Sequence, residues 1–394
     1  MHPADPGLPP PDPAAAAHSA RLISHIRGAM RAAGGRLPFD RYMALALHAP
    51  GLGYYSAGAR KFGAGGDFVT APEISPLFSR CVARQAAAVL AELGGGEVLE
   101  VGAGSGAMAA AVLTELAALG QVPERYAILE LSGDLRQRQQ ATVARHAPAL
   151  AERVVWLETL PAAGFRGVVL ANELLDALPV RRFLVTEDEL LEAYVGWENG
   201  RFAWTAGMPQ DGQLGARVRL LREALGEETL YPGYASEINF AAEAWLASLA
   251  KQLDAGMILL IDYGYPRHEY YHPARRNGTL MCHYRHRAHD DPLILPGLQD
   301  ITCHVDFTAL AEAGCAAGLE VAGYTTQGYF LLGTGITEMQ PPAADPRQQL
   351  EWAQQIKTLT LPHEMGELFK VLALTRDVAG PLSGFQMRDL RDRL

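Results

Sequence analysis

Glu100 stands just ahead of a turn carrying Gly102, Gly104 and Gly106, in a stretch, VLEVGAGSG, that runs from a strand-like segment into the helix-forming AMAAAVLTELAALG. A glycine turn between strand and helix lets backbone N–H groups and a helix N-terminus approach a polar ligand closely. Gly102, Gly104 and Ala107 meet the dinucleotide spacing G-x-G-x-x-[GA], so a nicotinamide or flavin enzyme is one reading. The acid favours another: a carboxylate before the glycines would repel a pyrophosphate and attract the cationic amino group of S-adenosylmethionine. Glu130 ends the next strand, where a carboxylate can accept both hydroxyls of an adenosine ribose, a feature both cofactors share. Three glycines are costly for a tight turn that holds nothing.

A second group follows the fourth strand, where VVLANELLDALPV carries Asn172, Glu173 and Asp176. Open parallel sheets bind ligands beyond the carboxyl ends of their strands, so these side chains are expected to face the same crevice as Glu100 and Glu130. A helix start, with an Asn cap and early acids, would use the same residues without any ligand. Cys282, His283, His286, His289 and His304 match no closed zinc spacing and read as a polar loop, so no metal is expected.

The elements that must position these residues alternate between strand and helix from Glu97: EVLEV, a helix to about Leu119, YAILEL, a helix over DLRQRQQATVARHA, RVVWL, then GVVLANELL, and later GMILLIDYG. That alternation predicts an α/β fold with a parallel sheet. LLEAYVGWENGRFAWTAG reads as a hairpin turning at Asn199 and Gly200, within an insertion of about 181–236. A second insertion, about 265–304, is polar, aromatic and loop-like, and LEVAGYTTQGYFLLG near the end reads as strand.

Residues 1–20, rich in proline and alanine, read as a flexible tail without a secretory h-region. Residues 21–95 read as an N-terminal helical and lid segment, opened by a helix with Leu22, Ile23, Ile26 and Met30 on one face, and 96–394 as the core with its insertions. A net charge of −10 argues against a nucleic-acid surface, and no apolar run is long enough for a stable membrane span. The four cysteines form no CxxC pair, which fits a reducing compartment. Lysine occurs only at Lys61, Lys251, Lys357 and Lys370 among many arginines, a bias that favours a bacterial cytoplasm over a mitochondrial matrix.

The stretches GLGYYSAGARKFGAGGDFVTAPEISPLF, VLEVGAGSG, ANELLDALPVRRF, SEIN, IDYGYP, GTLMCHYRHRAHDDPL and GLQDITCHVDF, in this order between about Pro38 and Leu332, resemble the MidA family of class I methyltransferases. That family includes a mitochondrial assembly factor that methylates an arginine of a respiratory complex I subunit. The resemblance implies a Rossmann-like seven-stranded core with an N-terminal lid and inserted substrate-binding elements, S-adenosyl-L-methionine as cofactor, and a protein arginine as acceptor. It matches Gly102, Gly104 and Gly106 to the cofactor loop, with Glu100 before it and Glu130 as ribose acid. It also places GDFVTAPEIS, with Asp67 and Thr70, over the cofactor. An arginine acceptor stays protonated and delocalised, so carboxylates that bind its outer N–H groups would orient it, a role for Glu173 and Asp176 beside Asn172. Glu73, Glu237 and Asp262 are lesser candidates. A methyltransferase for another protein or a small molecule, a non-catalytic complex I assembly factor and an NAD-dependent oxidoreductase are the alternatives; the oligomeric state is left open.

Overall fold

The computed structural model describes residues 7–56, 70–339 and 345–394. They divide into two compact units, the first formed by the residues up to 56 with Asp176–Ala242 and Arg267–Val305, the second by the rest. The segment read as one N-terminal element, 21–95, is therefore shared between the units.

In the first unit a helix covers Pro13–Ala32, beginning within the residues expected as a tail because Asp12 caps it, accepting the Ala15 N–H at 2.9 Å, and proline occupies its first turn. Leu22, Ile26 and Met30 make its buried stripe. Strands Leu190–Glu198 and Arg201–Gly207 form a hairpin whose two turn residues, Asn199 (φ 51°) and Gly200 (φ 82°), are both left-handed, the twist a two-residue hairpin needs. Inside its sheet Arg181 binds Glu192 in a fork, at 2.7 and 2.8 Å, so the buried charges neutralise each other.

The second unit holds the element that positions the glycine loop. Among the described residues its sheet has eight strands, of which seven succeed one another in a single path and a short eighth pairs off it. In chain order the seven are β1 (Glu97–Val101), β2 (Tyr126–Leu129), β3 (Val154–Leu157), β4 (Phe165–Asn172), β5 (Leu253–Tyr265), β6 (Glu320–Thr326) and β7 (Phe369–Arg376). Across the sheet the order is β6-β7-β5-β4-β1-β2-β3. β1 to β5 pair in parallel, whereas β7 runs antiparallel to both neighbours. β7 enters from a segment that the sequence reading left unassigned, and residues 327–333, read as a continuation of strand, turn into a helix after β6. Four helices matter here: α1 (Ala71–Ile74), α2 (Pro76–Leu93), α3 (Ala107–Ala118) and α4 (Gly133–His146). Leu77, Phe78, Val82 and Val89 of α2 and Val112 and Leu113 of α3 join one core with Val98, Tyr126, Leu170 and Leu259 from one face of the sheet.

Where β1, β4 and β5 begin, their backbones touch. A Cβ on Gly167 (φ 145°) would lie 1.9 Å from the Glu97 carbonyl oxygen, and one on Gly256 (φ 137°) 1.8 Å from that of Gly167. No side chain fits, and neither conformation suits an L-residue. Gly167→Ala is expected to cost roughly 3 kcal/mol or more of folding free energy, read as a lower urea midpoint; a loss under about 1 kcal/mol would mean the strands can slide apart at no great cost.

Candidate active site

β1 leads into Gly102 (φ 72°), Gly104 (φ 52°) and Gly106 (φ 83°), and Gly106 is the cap residue of α3. A Cβ at Gly106 would stand 3.0 Å from the Gln139 Cα, in a conformation already unfavourable for other residues. The turn is exposed at Gly102 and packed against α4 at Gly106.

Glu130 follows β2 and is only partly buried. Its Oε1 accepts the Ser132 N–H at 2.9 Å and its Oε2 accepts the Gln139 side-chain amide at 2.9 Å. That same amide donates to the Gly104 carbonyl at 3.1 Å, while Gln139 Oε1 accepts the Trp156 indole N–H at 3.0 Å. Gln139 thus ties the acid to the glycine turn, a residue sequence reasoning missed although it lies in the stripe Leu135, Gln139, Val143 that α4 buries. Leu131, also missed, is 80% exposed directly after Glu130 and offers an apolar surface beside the acid.

Glu100 is placed otherwise than expected. It shares the core face of the sheet with Val98 and Leu170, is 1% exposed, and accepts the Tyr126 hydroxyl at 2.5 Å. Burial pushes its carboxyl up to about 7, and the Tyr126 hydrogen bond only partly opposes this.

At the end of β4 the structure brings Asn172 and Glu173 together. Asn172 Nδ2 donates to Glu173 Oε1 at 3.2 Å, and the Ala71 N–H of α1 donates to the same oxygen at 3.4 Å. Asn172 is 9% exposed, yet its Oδ1 is buried without a hydrogen-bond partner. A buried acceptor left unpaired costs stability, which makes it a place where a donor from a ligand would be held. No helix starts here: Glu173 takes φ 50° and the following residues form turns, so the helix-start reading of these acids is set aside. Asp176 falls in the first unit, where it is buried and its carbonyl accepts the Cys303 N–H at 2.9 Å.

Of the family's N-terminal motif, Asp67 lies outside the described residues. Thr70 is the N-cap position of α1, its carbonyl accepting the Glu73 N–H at 2.9 Å while its side chain makes no capping bond. Glu73 accepts the hydroxyl of Ser105, which belongs to the glycine turn, so α1 is tied to that turn. Glu237, in the first unit, is fully buried and taken up by Arg182 at 2.5 Å and the Thr279 N–H at 2.8 Å. Among the described residues no three His, Cys, Asp or Glu side chains gather as a metal site, and no helix is long and apolar enough to cross a membrane.

The raised Glu100 carboxyl has a consequence for stability. Its folded state holds a proton that the unfolded chain, ordinary near 4.5, has already lost, so stability falls as pH rises from about 4.5 to about 7. Glu100→Gln, which cannot ionise, should gain about 3 kcal/mol on the parent over that window. Urea unfolding at pH 5 and pH 8 measures it; parallel stability curves for the two proteins would mean the carboxyl titrates normally.

Residues 81–325 match the model of a family described as "Putative S-adenosyl-L-methionine-dependent methyltransferase". A crystal structure from Burkholderia thailandensis, of a methyl transferase candidate bound to S-adenosyl-homocysteine, is 45% identical, covers 98% of this chain and all of its own, and superposes with a TM-score of 0.93. Among curated relatives, the mitochondrial protein arginine methyltransferase NDUFAF7 homolog of Drosophila melanogaster is 28% identical over 377 residues, 86% of this chain and 82% of that protein. Its Danio rerio counterpart is 28% identical over 394 residues, 90% of this chain and 86% of its own. The sheet, the glycine turn and these relationships agree: the chain belongs to this MidA-type family of class I methyltransferases, with S-adenosylmethionine as its cofactor.

Proposed function

We propose that this methyltransferase acts on a protein arginine, held at the end of β4 by Asn172 and Glu173. The observation that carries the reading is the buried, unpartnered Oδ1 of Asn172 beside a carboxylate, because a guanidinium supplies the N–H donor that this oxygen lacks. The names of the Drosophila and Danio relatives support the same acceptor class.

The cofactor supplies a methyl group on a positively charged sulfur. The residues present fit it: the left-handed glycines leave a concave turn at the N-terminus of α3, suited to a carboxylate, and Glu130 keeps a second lone pair on each oxygen for the ribose hydroxyls. Leu131 would cover the base. Thr70 belongs to the segment we place over the cofactor. Glu100 serves indirectly, by fixing β1 against β2 through Tyr126.

On the acceptor side, Asn172 Oδ1 and the Glu173 carboxylate bind outer N–H groups of the guanidinium, fix its plane and draw positive charge away from the attacking nitrogen. That nitrogen forms the new N–C bond as the S–C bond breaks, and its surplus proton leaves toward Glu173. We place the reaction in a bacterial cytoplasm and take a respiratory complex I subunit as the acceptor protein, on the family resemblance. Incubating the protein with labelled S-adenosylmethionine and an extract of a deletion strain, then locating the label by mass spectrometry, tests this. Label in another residue type or in a small molecule would replace the acceptor, and no label anywhere would leave an assembly role.

Glu130→Ala should weaken S-adenosylhomocysteine binding in calorimetry by about 2 to 4 kcal/mol, the worth of two charge-assisted hydrogen bonds; an unchanged Kd would put the ribose elsewhere. Glu173→Gln should keep cofactor affinity while the single-turnover rate falls roughly 100-fold, about 3 kcal/mol. Asn172→Leu should lose rate as well, yet leave the thermal midpoint level or raised, since it removes an unsatisfied acceptor. A variant that loses stability and rate in proportion would mark Asn172 as structural.

A further inference from the structure

Strand geometry alone would set Asn172 and Glu173 apart, because successive side chains of a strand point to opposite faces. They meet because Glu173 adopts a left-handed conformation, φ 50°, which breaks the alternation and returns its carboxylate to the Asn172 amide, 3.2 Å away. A glutamate holds that conformation only when its surroundings impose it. Three contacts from the end of β5 do so. The Ile261 carbonyl accepts the Glu173 N–H at 2.9 Å, and one oxygen of Asp262, Oδ2, accepts the N–H groups of both Leu174, at 3.1 Å, and Leu175, at 2.8 Å. Consecutive N–H groups converge in this way on an anion when the chain turns through a left-handed residue. The other oxygen, Oδ1, accepts the Tyr263 N–H at 2.8 Å, so the carboxylate itself is fixed, and it is 1% exposed.

We infer that Asp262 is a positioning residue for methyl transfer, acting through Glu173: it locks the turn 173–175 and thereby aims the Glu173 carboxylate. This rests on the acceptor role given to Glu173 above. A purely structural Asp262 would hold the turn with no bearing on the direction of Glu173.

The test is a double-mutant cycle with S-adenosylmethionine as donor and deletion-strain extract as acceptor. Asp262→Asn keeps the shape but presents its amide N–H groups to one set of backbone donors. It should slow single-turnover transfer by roughly 30-fold and leave S-adenosylhomocysteine affinity within about 3-fold. In a Glu173→Gln background the same substitution should slow transfer by less than about 3-fold, since the residue it aims has lost its charge. Full multiplication of the two effects, or a loss in cofactor affinity with the rate intact, overturns the inference. Amide exchange separates it from the reading beneath it: Leu174 and Leu175 should exchange as slowly as strand amides in the parent and faster in Asp262→Asn. Rapid exchange in the parent overturns the lock even where the variant fails to fold, whereas the expected exchange with an unimpaired Glu173→Gln refutes the role of Glu173 alone.

Discussion

A strand shows its side chains alternately to two faces, and this constraint governs how a sheet can assemble a site at its edge. The second unit meets it by turning the chain left-handed where its central strands end. After β1 the turn is made by Gly102, Gly104 and Gly106, which adopt the conformation at no steric cost, and the backbone is what the ligand meets. After β4 it is made by Glu173, where a side chain is wanted and the conformation must be imposed by neighbouring hydrogen bonds. The same backbone solution thus serves two ends, one by removing the side chain and the other by holding it.

Much of this was legible in the sequence for a physical reason: strand, glycine turn and helix are set by local patterns, and so is the acid that ends β2. What failed was the inference from nearness along the chain to nearness in space. Glu100 precedes the glycines, but it is two residues from Val98, and the period of a strand puts both on the core face. Gln139 shows the reverse. Among several glutamines of a polar helix, only its spacing of four from Leu135 and from Val143 marks it as the one turned inward. Residues 327–333 were misread because a short apolar run does not distinguish strand from helix.

Buried polarity separates two kinds of residue in the second unit. Asp262 and Gln139 have their oxygens or amides engaged by protein groups, so each fixes something else in place. Asn172 leaves one acceptor unused in a buried position. A chain selected only to fold would place leucine there.

β7 lies between β5 and β6 although it is the last of the seven strands in the chain, and β6, at the edge, pairs with β7 alone. During synthesis on the ribosome, β6 therefore emerges with its hydrogen-bonding groups uncommitted and waits for some fifty further residues before it can be joined to the sheet. Until then β5 presents an open edge of its own. The growing protein is thus exposed to mispairing at the edge of β5 until β7 is available, and a nascent-chain chaperone would find its substrate in that interval rather than earlier.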